Sequence, residues 1–248
     1  MVEPLFIRGF DQDPAVGDLV ELTGTEAKHA ISVRRMRVGE AIQLSNGLGL
    51  RVRGVIDSID GQVLRVRATE IRLETQPTLA ITLVQALAKG DRDELAVQAA
   101  TELGITCVIP WQAERSISRW DGPKIDKGVD RWQTIATEAA KQALRATHPL
   151  VQQPVTTKQL AAQVDSFDLM LILDPTSSTG LTSVKIPATA KVAIVVGPEG
   201  GISSAELAEL ENAGGKLVHL GESILRTSTA GLAAISALQA TSGNWGNA

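Results

Sequence analysis

Apolar and polar residues alternate in three runs between residues 41 and 73, which places every second side chain on the same face of an extended chain. The dipeptides Asn46-Gly47 and Asp60-Gly61 separate these runs, and both favour the tight turns that join antiparallel strands. The stretch before them predicts a short helix that begins at Thr25. We therefore expect a small β-barrel whose outward positions carry the basic residues Arg51, Arg53, Arg65 and Arg67.

The pattern changes after a polar linker with one proline at residues 74–78. Beyond it, continuous apolar runs are typical of strands buried on both faces of a parallel sheet, and they cover residues 79–87, 105–110, 167–173, 191–196 and 216–220. Helical segments alternate with them at residues 91–104, about 126–146, 203–214 and 228–241. Such alternation predicts an α/β domain with a mostly parallel sheet, so we divide the chain into residues 1–74 and 79–248.

Composition narrows the class of protein. Hydrophobic residues make up 44% and charged residues 21% of the 248 residues, which is typical of a globular protein and excludes extensive disorder. No apolar run approaches the roughly 18 residues of a membrane span, and the N-terminus shows no signal-peptide pattern. One cysteine (Cys107) and three histidines do not provide the usual ligands of a structural zinc site. We expect a cytoplasmic protein with no membrane partner and no metal ion.

The net charge of −4 argues against a nucleic-acid partner, but the local distribution of charge favours one. Between Lys28 and Arg72 there are nine basic residues and four acidic ones, and between Arg115 and Arg145 there are seven and four. Phosphate groups respond to such local patches more than to the total charge. The alternative is an ordinary solvated face of the protein.

Three loops follow predicted strands of the α/β domain, at residues 174–180, 197–201 and 221–228. Ligands of open α/β sheets bind at the carboxyl ends of strands, and glycine leaves backbone groups uncovered for a flat polar ring such as adenine. The chain contains neither a GxxxxGK[ST] phosphate loop nor a GxGxxG fingerprint, which disfavours an NTPase or a Rossmann dehydrogenase. The alternative is that these glycines only form turns.

The sequence "GPEGGIS" with Glu206 three residues later, followed by "LGESILRTSTA", resembles the SPOUT class of S-adenosylmethionine-dependent RNA methyltransferases. More closely it resembles the RsmE family, which forms 3-methyluridine in small-subunit (16S) ribosomal RNA. Residues 89–117 follow the same family pattern, and residues 29–47 follow that of its PUA-like N-terminal domain. The resemblance covers nearly the whole chain.

The resemblance implies a SPOUT domain with a C-terminal trefoil knot, a PUA-like β-barrel that binds RNA, a homodimer, and ribosomal RNA in the assembled 30S subunit as substrate. S-adenosylmethionine would bind between the knot loops, at Leu173, Asp174, Pro175, Gly197, Pro198, Glu199, Gly200, Gly201, Leu220, Gly221, Ile224 and Leu225. We expect Arg226 to stabilise charge on a uracil oxygen during methyl transfer to N3, because its planar guanidinium suits a carbonyl edge. Candidate RNA contacts are His29, Arg34, Arg35, Arg65, Arg115 and Arg145.

Three positions depart from the family pattern. Ser228 and Lys141 stand where the family has an acid, and Ala99 stands where a lysine is common. Two candidate general bases are therefore absent, and Glu199 is left either as a base or as a buttress of its loop. Two alternatives stay open: a SPOUT methyltransferase with a different target nucleotide, and a non-catalytic RNA-binding protein that retained the fold.

Overall fold

The computed structural model describes residues 2–75 and 77–245, and the chain separates into two compact units. The first unit combines residues 2–75 with residues 140–148, and the second combines residues 77–139 with residues 149–245. Each unit has a hydrophobic core of its own. No helix within the described residues is both long and apolar enough to cross a membrane.

The first unit is built from short, mostly antiparallel strands. Its elements are β1 (Leu5–Ile7), β2 (Leu19–Leu22), α1 (Gly24–Lys28), β3 (Ala41–Ser45), β4 (Leu50–Asp60) and β5 (Val63–Leu73). The strands form one five-stranded sheet in the order β1-β3-β4-β5-β2, in which only β1 and β3 pair in parallel. The helix predicted at Thr25 begins one residue earlier and passes into a π-helical turn, His29–Val33.

Alternation along these strands buries one face of the sheet. In β4, Val52 and Ile56 lie in the core, whereas Arg51 and Arg53 point outward as predicted. The pairing of β4 with β5 shifts register next to Gly54, where a Cβ atom would lie 2.5 Å from the carbonyl oxygen of Arg67. Glycine therefore permits the close approach of the two strands at this bulge, and bulges bend and twist a sheet around its core.

The second unit alternates strands and helices. Its elements are β6 (Leu79–Ala86), α2 (Arg92–Glu102), β7 (Cys107–Trp111), α3 (Pro123–Gln142), β8 (Leu150–Val151), α4 (Thr157–Ala161), β9 (Leu169–Leu173), β10 (Ala190–Val196), α5 (Ser204–Asn212), β11 (Lys216–Val218) and α6 (Thr227–Thr241). The strands form a six-stranded sheet in the order β11-β9-β10-β6-β7-β8. Every pair in it is parallel, which confirms the predicted α/β class.

Both faces of this sheet are covered, as the continuous apolar strands require. One core contains Leu83, Trp132 of α3 and Ile235 of α6, and the other contains Val84, Trp111 and Leu210 of α5. Successive residues of β6 thus point into opposite cores. The carboxyl ends of β9, β10 and β11 meet at one edge of the sheet, since these strands are parallel and β9 lies between the other two.

The prediction that α3 extends to Ala146 was wrong, because the helix ends at Gln142. Leu144 has a φ of 55°, in the left-handed region that a helix cannot continue through. The carbonyl of Ala146 instead accepts bonds from the Ser45 hydroxyl (2.8 Å) and the Gly49 N–H (3.0 Å). The polar linker predicted at residues 74–78 lies between β5 and β6, and Gln76 within it is outside the described residues.

Candidate active site

A cavity of about 590 Å³ lies at the carboxyl ends of β9, β10 and β11. Eleven of the twelve residues predicted to hold the methyl donor line it, together with Arg226: Leu173, Asp174, Pro175, Gly197, Pro198, Glu199, Gly201, Leu220, Gly221, Ile224 and Leu225. These residues are spread over more than fifty positions of the chain and come together because their strands are parallel neighbours. The three predicted loops therefore form one site.

The first loop is held by Asp174, whose side chain turns back on its own loop. Its carboxylate accepts the N–H of Thr176 at 2.6 Å, and its own N–H donates to the carbonyl of Val218 at 2.9 Å. Asp174 is buried. This carboxylate is thus engaged in a turn that connects the ends of β9 and β11.

The second loop, residues 197–201, depends on its glycines. A Cβ atom at Gly197 would lie 2.6 Å from the Cγ1 atom of Ile202, and Gly201 has a φ of +73°, which L-residues rarely adopt. Gly200 is the predicted residue that does not line the cavity. Its carbonyl accepts a bond from the Arg115 guanidinium at 3.0 Å, so Gly200 faces the outside of the loop.

Glu199 connects this loop to the segment at the start of α2. Its Oε1 atom accepts bonds from the Lys89 N–H and the Arg92 guanidinium, both at 3.0 Å. Partial burial acts to raise the pKa of Glu199, but the backbone N–H bonds and the Arg92 charge outweigh it and lower the pKa below its ordinary value of 4.5. An engaged carboxylate with a lowered pKa is a weak proton acceptor, so the contacts favour the buttress role over the base.

The helix that follows the second loop begins at a capping box. Ser203 caps α5 and exchanges bonds with Glu206, which is buried. Glu206 also accepts the Glu114 N–H at 2.8 Å and the Thr157 hydroxyl at 2.7 Å. These bonds attach the start of α5 to two other segments, which makes the end of the second loop rigid.

The third loop carries the exposed apolar and cationic side chains of the cavity. The imidazole Nδ1 of His219 accepts the Gly221 N–H at 3.0 Å, and Gly221 has a φ of +111°. Ile224 is 82% exposed and Leu225 is 38% exposed. Arg226 is exposed at the N-cap position of α6, and within the described part of the chain its guanidinium has no hydrogen bond or ion pair.

Nine further residues line the cavity beyond the predicted ones, and five of these nine have polar or charged side chains: Arg92, Thr176, His219, Ser223 and Thr227. Thr227 follows Arg226 directly, so the motif "LRTS" contained the signal for it. Arg92 gave no such signal, because it reaches the cavity through its ion pair with Glu199, which is 107 residues away in the sequence.

The six candidate RNA contacts fall into different environments. Arg34 and Arg35 are exposed, and with Lys28 and Arg37 they form what we call the basic segment, residues 28–37. Within the described residues, none of these four side chains has an ion pair. The π-helical turn and the positive φ of Arg35 (54°) shape this segment, while the ring of His29 packs edge-on against Phe6 at 5.7 Å.

The remaining candidates are engaged with protein groups. Arg65 pairs with Glu21 at 2.9 Å, and Arg115 bonds to Gly200. Arg145 is half-buried, and this burial lowers its pKa even though Glu74 acts in the opposite direction. The positive excess that the sequence showed between residues 28 and 72 is therefore partly neutralised, since acids from outside that range pair with it: Glu3 with Arg53, Glu21 with Arg65, and Glu74 with Arg51.

The structure shows the surroundings of two positions that depart from the family pattern, Lys141 and Ser228. Lys141 is buried in the first unit, and its ammonium pairs with Glu26 at 2.6 Å. Ser228 lies in the first turn of α6, half-buried, two residues after Arg226. In the ranges 2–75 and 77–245, no group of three or more His, Cys, Asp or Glu side chains is placed to hold a metal ion.

Comparison with known proteins defines the class first. Residues 74–239 match the model of an RNA methyltransferase domain, and residues 22–68 match that of an RNA methyltransferase PUA domain. The chain is therefore an RNA methyltransferase with an N-terminal PUA domain, which confirms the expected fold class.

Individual relatives define the family. The chain is 36% identical to the ribosomal RNA small subunit methyltransferase E of Mycobacterium tuberculosis, over 99% of this chain and 94% of that protein. It is similar to the structure of the Neisseria gonorrhoeae methyltransferase E bound to S-adenosyl methionine (TM-score 0.87, 30% identity, 97% of this chain and 98% of that one). A Legionella pneumophila protein in complex with the cofactor SAM gives a TM-score of 0.86 at 31% identity, covering 97% and 98%. The chain belongs to the ribosomal RNA small subunit methyltransferase E family, RsmE, as its motifs indicated.

Proposed function

We propose that this protein transfers a methyl group from S-adenosylmethionine to N3 of a uridine in small-subunit ribosomal RNA, at the uridine 1498 position of 16S RNA. The observation that carries the proposal is the three-loop cavity in a chain of this family, with Arg226 at its edge and no partner for its guanidinium among the described residues. Neighbouring structures of the family hold the same donor.

The residues of the cavity fit the donor. A volume of about 590 Å³ is in the range of small-molecule sites, which are mostly apolar with a few placed polar groups. Glycines at positions 197, 201 and 221 have no side chain that would cover the backbone of the cavity wall, so an adenine ring can approach that backbone closely. Leu220, Ile224 and Leu225 offer apolar surface to its faces. S-adenosylmethionine supplies an electrophilic methyl group on a sulfonium.

Methylation at N3 forms an N3–C bond with the methyl group that leaves the donor's sulfonium, and the N3–H bond breaks with its proton released to solvent water. Removing it places negative charge on the uracil oxygens, and the guanidinium of Arg226 stabilises that charge through donors in a fixed plane. Both carboxylates that line the cavity in the described chain, Asp174 and Glu199, are engaged in loop bonds. We therefore assign the chain's contribution to orientation and to charge stabilisation by Arg226, and we assign no carboxylate base.

RNA docking is assigned to the first unit. The basic segment offers four exposed cations to phosphates, whereas Arg51, Arg53, Arg65 and Arg67 are paired with acids. We propose that residues 1–74 act as the PUA-like RNA-binding domain and residues 79–248 as the SPOUT domain with its C-terminal knot. The substrate is the RNA in the assembled 30S subunit, and the protein acts in the cytoplasm as a homodimer. Sedimentation at several concentrations tests the dimer.

The proposed reaction is tested with small subunits from cells that lack the gene. The purified protein and methyl-labelled S-adenosylmethionine are added to these subunits or to naked 16S RNA, and the digested RNA is analysed by mass spectrometry. Label in 3-methyluridine, and more of it with subunits than with naked RNA, is the expected result. Label in another nucleoside would mean that the protein is a methyltransferase of the same fold with a different target nucleotide. Absence of label with intact RNA binding would favour the non-catalytic alternative that Ser228 left open.

A further inference from the structure

Gln85 is a fully buried polar residue with no part in the chemistry described so far. It is the penultimate residue of β6, between β10 and β7 in the sheet. Its side-chain nitrogen donates to the hydroxyl of Thr227 at 2.9 Å and to the carbonyl of Ala86 at 3.1 Å. Buried amides are rare in the middle of a parallel sheet unless their polar atoms are paired, so these bonds call for an explanation.

Thr227 links Gln85 to the cavity. Its hydroxyl donates to the carbonyl of Gly197 at 2.8 Å, at the first residue of the second loop. Thr227 is also the first residue of α6 and follows Arg226 directly. Two bonds therefore join the centre of the sheet, the glycine loop and the residue next to the proposed catalytic arginine.

The direction of these bonds is determined by the single proton of the hydroxyl. Because Thr227 donates that proton to Gly197, it can only accept from Gln85, and the amide must present its N–H. The carbonyl oxygen of the Gln85 amide is left buried, and in the part of the chain that the structure describes it has no partner. An amide turned the other way would pair this oxygen with the Thr227 hydroxyl, but the bond to Gly197 would then be broken.

Leaving a buried carbonyl oxygen without a partner costs free energy. In the observed orientation the Gln85 oxygen gives up a hydrogen bond, and Thr227 keeps its bond to Gly197. We propose that Gln85 is a positioning residue for the methyl donor. It orients the hydroxyl of Thr227. That hydroxyl holds the loop at residues 197–201 at a fixed distance from the side of the cavity where Arg226 lies. The inference rests on the proposed function, because it assumes that the donor binds between these loops.

Four variants test the proposal: Thr227→Val, Thr227→Ser, Gln85→Met and the control Thr101→Val. Valine has the shape of threonine without the hydroxyl, and serine keeps it. Thr101 is also buried and donates to a carbonyl at 2.8 Å, but that carbonyl belongs to Val97 within α2, away from the cavity lining. Calorimetry gives the Kd for S-adenosylmethionine, thermal unfolding gives the stability, and the labelling assay gives kcat.

We expect Thr227→Val to weaken donor binding about tenfold and to lower kcat at saturating donor, the usual scale for removing one buried hydrogen bond at a site. Thr227→Ser should retain the wild-type Kd, and Gln85→Met should fall between the two. Thr101→Val should lose thermal stability with an unchanged Kd. If Thr227 had a purely structural role, its variants would not show this difference between the effects on donor binding and on thermal stability.

The proposal is overturned if Thr227→Val loses stability as Thr101→Val does but keeps the wild-type Kd and kcat. Should Thr227→Val not fold, Gln85→Met decides alone, and wild-type Kd and kcat in that variant overturn the inference. Failure of the wild-type protein to bind S-adenosylmethionine would instead remove the proposed function. The two ideas therefore fail in different experiments.

Discussion

At the scale of single residues, Arg226 differs in its surroundings from the arginines of the sheet in the first unit. Arg51, Arg53, Arg65 and Arg67 all pair with carboxylates, whereas Arg226 stands at the N-cap of α6 with no ion pair in the described chain. The N-terminus of a helix carries partial positive charge, so a cation there is unfavourable for the free protein. Such a placement is understandable if the guanidinium meets negative charge that develops in the reaction.

Replacing Arg226 by glutamine should therefore lower kcat by about 10²- to 10³-fold and leave the Kd for S-adenosylmethionine near its wild-type value. Arg131→Gln is the matched control, because Arg131 is exposed and pairs with Glu94 on the protein surface. The labelling assay and calorimetry measure the two quantities. An Arg226→Gln enzyme with wild-type kcat would remove Arg226 from the mechanism.

The backbone N–H bonds and the Arg92 charge that surround Glu199 predict a pH dependence of stability. Because the folded protein lowers the pKa of Glu199 below 4.5, these interactions stabilise the fold above that pH and lose their contribution as the pH falls through the lowered value. Glu199→Gln should thus be less stable than wild type at pH 7, and the difference should shrink below about pH 4. Thermal unfolding at both pH values measures it, with the exposed Glu209→Gln as control. A difference independent of pH would contradict the lowered pKa of Glu199.

At the scale of elements, the cavity depends on loops whose backbone conformation only glycine adopts easily. Gly201 at φ +73° and Gly221 at φ +111° have no neighbouring atoms within 4 Å of a Cβ position, so a side chain there would meet strain but no clash. The second loop is held at both ends, by Thr227 at Gly197 and by the capping box at Ser203. The backbone between these points is what would face the donor.

Gly201→Ala should cost about 1 kcal/mol of stability, because alanine is strained at positive φ, and should also weaken donor binding. Gly61→Ala provides the control, since Gly61 has a similar φ of +61° and equally open surroundings in the turn between β4 and β5. Both variants should lose similar thermal stability. Calorimetry should show a weaker Kd only for Gly201→Ala, and equal Kd values would argue against a donor at this loop.

Strands and helices were predictable from the sequence where a pattern of apolar residues extends over many positions. The three strands at residues 41–73 and the strands of the parallel sheet follow from alternation and from continuous apolar runs. Short elements such as β1, β8 and α4 were missed, because two to five residues cannot establish a period. The end of α3 was missed for a different reason: the residues after Gln142 bond to the first unit, and those bonds outweigh their helical pattern.

At the scale of the whole molecule, a net charge of −4 coexists with a site for RNA because charge is distributed unevenly. The acids Glu3, Glu21, Asp57 and Glu74 neutralise the arginines of the sheet. The basic segment at residues 28–37 keeps its four cations without ion pairs in the described chain. We therefore expect electrostatic attraction to RNA to come mainly from this segment.

Charge-reversal variants distinguish the cations of the basic segment from the paired arginines of the sheet. Arg34→Glu with Arg35→Glu should weaken binding to small-subunit RNA strongly and flatten its salt dependence, by roughly one unit of slope for each phosphate that is no longer neutralised. Arg65→Glu should weaken binding less, since Arg65 already pairs with Glu21. Arg72→Glu serves as a control, because Arg72 is exposed and pairs with Glu70. Affinities measured across a salt series would contradict this assignment if all these variants behaved alike.

The sequence by itself determined the fold class, the three loops, the family and many of the residues around the cavity. These properties depend on patterns within short stretches, which periodicity and motifs record directly. Only the tertiary structure decided which charges are paired and what Glu199 and Gln85 contact. Their partners are remote in the chain: Arg65 and Glu21 are 44 residues apart, Glu199 and Arg92 are 107 apart, and Gln85 and Thr227 are 142 apart. Such bonds exist only once folding has brought distant strands together, so no local pattern could reveal them.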